Sequence, residues 1–228
     1  MESGHPAQSE HVEALLQALV RDKEALLKLG MDVVGKPGSP MYPLDWMVFA
    51  AIKRSVSTSS ALTEMVRTWN MVCARSLLRM HIDTALRFSA AWLVPDPHAF
   101  ATKVMKGEPI NKMKDRSGKQ QLSDAFLVQT HKEDYPWLPG VYKNLSGYVH
   151  FSGSHISDSI SSFEDETQTV EFEITATDTK FPEFSWVEVL ECFRESTSIL
   201  SWYIQGYAET KKLTPTELES LRSKNPNG

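Results

Sequence analysis

From Ala61 to Leu93 the chain runs without a glycine or a proline, and apolar residues recur on more than one face of the helix that such a run must form. Pro95 and Pro97 close it. A helix apolar on most sides cannot face water, so it belongs in the middle of a bundle and the rest of the sequence must supply its neighbours. The hydroxyl run Ser57 to Ser60 offers caps for its start, which makes Asp45 to Ser55 a separate short helix.

Two further long helices are expected. From His11 to Leu29, residues such as Val12, Leu15, Leu16, Leu19, Leu26 and Leu27 recur at intervals of three and four, with Gly30 as the stop. Trp186 to Lys211 carries a second apolar series that includes Val189, Leu190, Phe193, Ile199, Leu200 and Tyr207. Shorter helices are predicted at 122–130 and 141–151, and a structured loop at 35–43, where prolines and glycines crowd together. The stretch Ser152 to Asp165 reads as a loop or a frayed helix end. Thr169 to Thr175 alternates polar and apolar residues strictly, the period of a half-buried strand, with no obvious partner strand.

The fold class is therefore mainly α: a helical bundle with a long central helix and a small β-strand or hairpin insertion, at about 166–180, in the C-terminal half. One domain spans 1–228, with a mobile loop at about 107–121 and a polar tail at 213–228. The tail opens on Thr214 and Glu217, spaced as a capping box. The strand segment is read as an edge ornament or a dimer contact.

A net charge of −5 over 228 residues gives no global attraction to phosphate backbones or anionic lipid. Local basicity is confined to Lys112, Lys114, Arg116 and Lys119, a pattern typical of a solvated loop tip. The N-terminus has neither a basic start nor an apolar core, and no run approaches the roughly 18 apolar residues of a membrane span, so no membrane association and a cytoplasmic location are expected. Cys73 and Cys192 fall in helical, apolar patterns, which suits a reducing compartment.

Two constellations carry chemistry. Arg75, Arg79, Asp83 and Arg87 follow at intervals of four and so stack on one face of the central helix, with Asp83 placed to accept from both Arg79 and Arg87. The second is the segment from Tyr142 to His155, where His150 and His155 stand among hydroxyls and a donor from Tyr148. No metal or other cofactor is expected. On an ideal helix the two histidines would point about 140° apart, and no companion ligand stands at the spacing of a zinc motif.

Arg75 to Val94 (RSLLRMHIDTALRFSAAWLV), Tyr142 to Ile156 (YKNLSGYVHFSGSHI) and the helix ending YIQGYAETKK together resemble poorly characterised bacterial proteins akin to the HEPN superfamily. The resemblance covers about two thirds of the chain and rests on pattern and order. It implies a helical bundle that forms a homodimer, works in phage defence or a toxin system, and cuts RNA without a metal. HEPN ribonucleases carry an Arg and a His four to six residues apart, and Arg75 and His81 meet that spacing. Six residues of helix nevertheless turn those two side chains about 120° apart.

A sterically better pocket would set Arg79 and Asp83 opposite His150 and His155. Asp83 would fix one imidazole tautomer, a histidine would act as general base or acid, and Arg79 or Arg75 would hold the phosphate. The same residues also suit a buried polar network without chemistry, in a protein that dimerises or senses a ligand. The sequence leaves both readings open.

Overall fold

The computed structural model describes residues 5–214 together with 216, 217 and 220. In chain order the α-helices are α1 (Glu10–Val34), α2 (Pro43–Arg67), α3 (Met71–Ser89), α4 (Pro97–Met105), α5 (Asp124–Thr130), α6 (Leu138–Val149) and α7 (Gly153–Ser159). A hairpin of β1 (Ile160–Glu164) and β2 (Thr169–Phe172) follows, and α8 (Glu183–Lys211) completes the bundle. The fold is mainly α with a small β insertion in the C-terminal half. No helix among the described residues is long and apolar enough to cross a membrane.

The central position belongs to α3, which packs against α2, α5, α6 and α8, while α1 lies on α2 and α8. Buried residues occur on several of its faces, among them Ala74, Leu78, His81, Ile82, Leu86 and Phe88. This helix is nevertheless shorter than expected. The chain does not break at Ser57–Ser60, because the hydroxyls turn back onto their own helix instead of capping a new one. Thr58 Oγ1 donates to the Arg54 carbonyl at 2.7 Å, Ser60 Oγ to Val56 at 3.0 Å and Thr63 Oγ1 to Ser59 at 3.0 Å. Asp45–Arg67 is thus part of one helix, and the break falls at Trp69, in the left-handed region at φ 58°, followed by Asn70, whose side chain accepts from the Cys73 amide at 2.9 Å. The longest helix is α8, with 29 residues.

Gly30 does not end α1. A Cβ there would lie 3.1 Å from Ile52 Cδ1, so this glycine lets α1 and α2 approach closely. The helix ends at Gly35, at φ 74°.

The hairpin also departs from expectation. Its first strand and α7 occupy the stretch read as loop, and β2 pairs antiparallel with β1 through Phe163 opposite Val170 and Ile160 opposite Phe172. The strict alternation of β2 predicts one buried face, yet the strand is exposed along its whole length. The 107–121 segment, expected to be mobile, is hydrogen-bonded at base and tip: the Arg116 amide reaches the Leu93 carbonyl at 2.7 Å, and the Asp115 carboxylate accepts from the Lys119 and Gln120 amides. Thr214 and Glu217 make the expected reciprocal cap. Residues 215, 218, 219 and 221–228 of the polar tail lie outside the described residues.

One buried ion pair ties three helix ends together. The fully buried carboxylate of Asp45 accepts from the Tyr42 amide, the Tyr207 hydroxyl and the Lys211 ammonium, each at 2.8 Å, and Lys211 also donates to the α1 carbonyl of Val33.

Candidate functional site

Helices α3 and α6 run antiparallel, and two tyrosines of α6 decide how the α3 charges are used. At one level the hydroxyl of Tyr142 donates to Asp83 Oδ1 at 3.0 Å, while the Arg79 guanidinium lies 3.5 Å from the Tyr142 ring centroid and ion-pairs with Asp83. Arg79 is only 8% exposed. Burial, and then the Asp83 charge, push the Tyr142 hydroxyl far above its usual range, so it is a permanent donor. Cation and phenol both engage the one carboxylate here, and Arg79 Nε is left buried without a hydrogen-bond partner among the described residues.

Six residues on, about 9 Å further along α6, Tyr148 meets Arg75. Arg75 donates to the Tyr148 hydroxyl, and its guanidinium carbon stands 4.8 Å from the ring centroids of both Tyr148 and Phe181. Ser76 Oγ donates to the Tyr148 carbonyl at 2.9 Å. Burial raises the Tyr148 hydroxyl, the Asp158 carboxylate adds to this, and Arg75 opposes it. Tyr148 therefore remains protonated at neutral pH.

The histidines separate. His155 sits in the first turn of α7, where its Nδ1 accepts from the Ser152 amide at 3.4 Å as half of a capping box. Its ring centroid lies 5.7 Å from Tyr148 and 5.7 Å from Phe151. His150 is exposed at the C-terminal end of α6, and its ring makes no hydrogen bond, ion pair or ring contact among the described residues. The expected four-residue pocket is thus divided: Arg79 and Asp83 close on Tyr142, and His155 joins Arg75 through Tyr148. Nor does Arg87 share Asp83, because it pairs with Asp124 of α5 at 2.8 Å.

His81 faces away from Arg75. It is fully buried against α8, stacked on Phe193 at 3.9 Å, with Nε2 2.9 Å from Thr197 Oγ1. Burial, aided by the positive charge of Arg54, lowers its pKa to about 3, so the ring is neutral at physiological pH.

The Arg75 side of α3 opens into a cleft of about 460 Å³, walled by α3, α6, α8 and the start of α7. Its polar lining includes Arg75, Lys143, Asn144, Tyr148, Ser154 and Glu188, with Cys192 contributed by α8. Gly147 sets the shape of one wall: a Cβ there would stand 2.9 Å from Ser154 Oγ and 3.0 Å from Ser152 Oγ. Cys192 carries a protonated thiol at neutral pH. Burial and the neighbouring Glu188, Glu191 and Glu195 push its thiol up to about 12. No group of three His, Cys, Asp or Glu side chains arranged to hold a metal occurs among the described residues.

Sequence reasoning placed Arg75 and the Tyr142–His155 segment near each other, and it missed Glu188 and Cys192. Nothing in the sequence pattern of α8 distinguishes those two, because they are brought to the cleft only by helix packing. Tyr142 had a usable signal: a phenol on a helix that must cover charged residues. No family model matches this chain, and neither the curated proteins nor the solved structures compared with it include a match.

Proposed function

We propose that the protein is a ligand-binding module whose α3–α6–α8 cleft takes a small anionic ligand bearing a phosphate or carboxylate. One observation carries this reading. In the α3 ladder Arg79 and Arg87 each hold a carboxylate, whereas Arg75, at the cleft wall, has no carboxylate ion pair among the described residues and is held in place by two aromatic rings. A guanidinium fixed by stacking and one phenol keeps most of its five donors for a ligand and loses little entropy on binding. Lys143 adds a second cation and Asn144 an amide to the same cleft. The test is a calorimetric titration with a panel of phosphate- and carboxylate-bearing metabolites. At least one should bind in the micromolar range, and Arg75→Gln should weaken it at least tenfold. A panel without a binder, or a binder indifferent to Arg75→Gln, refutes the reading.

A second reading follows from the HEPN resemblance: a metal-independent endoribonuclease of bacterial defence or toxin type, working as a homodimer. It is supported by the contact of Arg75 and His155 with the same tyrosine, which offers a phosphate-holding cation beside an imidazole. Arg79 and Asp83 have no part in this version. Cleavage of single-stranded RNA in the presence of a chelator, abolished by His155→Ala and by Arg75→Gln, is its expected outcome; RNA left intact refutes it.

A further inference from the structure

The hairpin carries an apolar face that nothing among the described residues covers. Cross-strand register and two-residue alternation place Ile160, Phe163, Val170 and Phe172 on one side of the sheet, and Ile174 continues the same alternation. Phe163 and Phe172 are each 59% exposed and Ile174 is 88% exposed. Ser162, Glu164, Thr169 and Glu171 take the opposite side, with Glu173 next in that series. A sheet of two strands leaves each strand with an open edge, and an isolated hairpin is marginally stable in water until a third strand or a packed face joins it.

The charge around that face is one-sided. Between Lys143 and Lys180 the chain carries seven carboxylates and no lysine or arginine, and five of the seven lie from Glu164 to Glu173. With 29 acidic residues in all, removing the five from Glu164 to Glu173 leaves 24 against 24 cations, so the net charge of −5 is matched by this arm alone. A second copy laid hairpin to hairpin would double that charge, and a nucleic acid would be repelled by it.

We infer that the hairpin docks an extended polypeptide segment in which apolar and cationic residues alternate, added as a third strand. Its apolar side chains continue the Phe163–Val170–Phe172 face. Its lysines or arginines fall on the opposite side, beside Glu171 and Glu173, where opposite charges on neighbouring strands stabilise pairing. The start of β1 is less open to such a strand, because the Lys180 ammonium already rests on the carbonyls of Ser157, Asp158 and Ile160.

The test uses the full chain and three labelled ten-residue peptides: alternating Lys and Val, alternating Lys and Ser, and alternating Glu and Val. Fluorescence anisotropy should show the Lys/Val peptide binding at least tenfold tighter than the Lys/Ser peptide, with no binding of the Glu/Val peptide. Amide shifts in nitrogen-15 spectra should map to residues 160–174. Phe163→Ser combined with Phe172→Ser should weaken the Lys/Val peptide at least tenfold with an unchanged far-ultraviolet spectrum, since neither side chain is part of the core. Equal binding of the two cationic peptides overturns the inference, as do shifts that map elsewhere. So do self-association in sedimentation, or recruitment to phosphatidylcholine vesicles, that the double substitution abolishes.

Discussion

Arg79 was one of four catalytic candidates in the sequence, and its surroundings make it a structural cation, which Arg79→Met tests directly. Methionine keeps the length and apolar stem of the side chain, so the loss isolates the guanidinium. That group sits 3.5 Å from the Tyr142 ring centroid and pairs with Asp83, while being 8% exposed. A desolvated cation–π contact contributes about 1–2 kcal/mol. Breaking a fully buried ion pair costs about 3–5 kcal/mol, but the Asp83 side chain retains 25% of its exposure and keeps the Tyr142 hydroxyl, which reduces that part to about 1–2 kcal/mol. The expected destabilisation is about 2–4 kcal/mol, or roughly 5–15 °C in Tm for a domain of this size. Urea denaturation should show a lower midpoint with an unchanged m-value, and ligand affinity measured well below the transition should stay within about twofold of the parent protein. A variant of parental stability that has lost ligand binding or RNA cleavage would refute the assignment and return Arg79 to the functional site.

Other consequences follow from buried groups. His81 has a folded pKa near 3 against an unfolded value near 6.5, so its contribution to stability is complete above about pH 6.5 and is lost as pH falls toward 3. Stability should therefore drop by a few kcal/mol between pH 7 and 4, and His81→Gln should flatten that slope in urea titrations; an unchanged slope would place the acid sensitivity elsewhere. Lys211→Met leaves the Asp45 carboxylate buried with two neutral donors and should cost about 3–5 kcal/mol, whereas Asp45→Asn combined with Lys211→Met should cost well below the sum of the single changes. Additive costs in that cycle would mean the pair is not coupled. At pH 8 iodoacetamide should modify the exposed Cys73 first and leave Cys192 largely unreacted, a difference that peptide mass spectrometry resolves.

Much of the fold was legible because long helices write their period into the chain. The apolar repeats of α1 and α8 and the alternation of β2 are local patterns, and each element stands where its pattern lies. The errors concern residues with two uses. Ser57–Ser60 can cap a helix or bond back into one, and Gly30 can end a helix or admit a neighbour at 3.1 Å. In both cases the choice was made by α2 packing on α1 and α3, which rewards an unbroken helix.

The candidate site shows the same division. Sequence spacing alone put Arg75, Arg79 and Asp83 on one helix and the histidines in one later segment, because i, i+4 geometry is a property of any helix. Which charge stays open to a ligand was decided by α6, whose Tyr142 and Tyr148 meet α3 at different levels, sealing Arg79 with Asp83 and leaving Arg75 at the cleft. Contacts between residues 59 and 73 positions apart depend on how whole helices dock, and docking follows from the summed burial of many apolar side chains, which no local pattern contains.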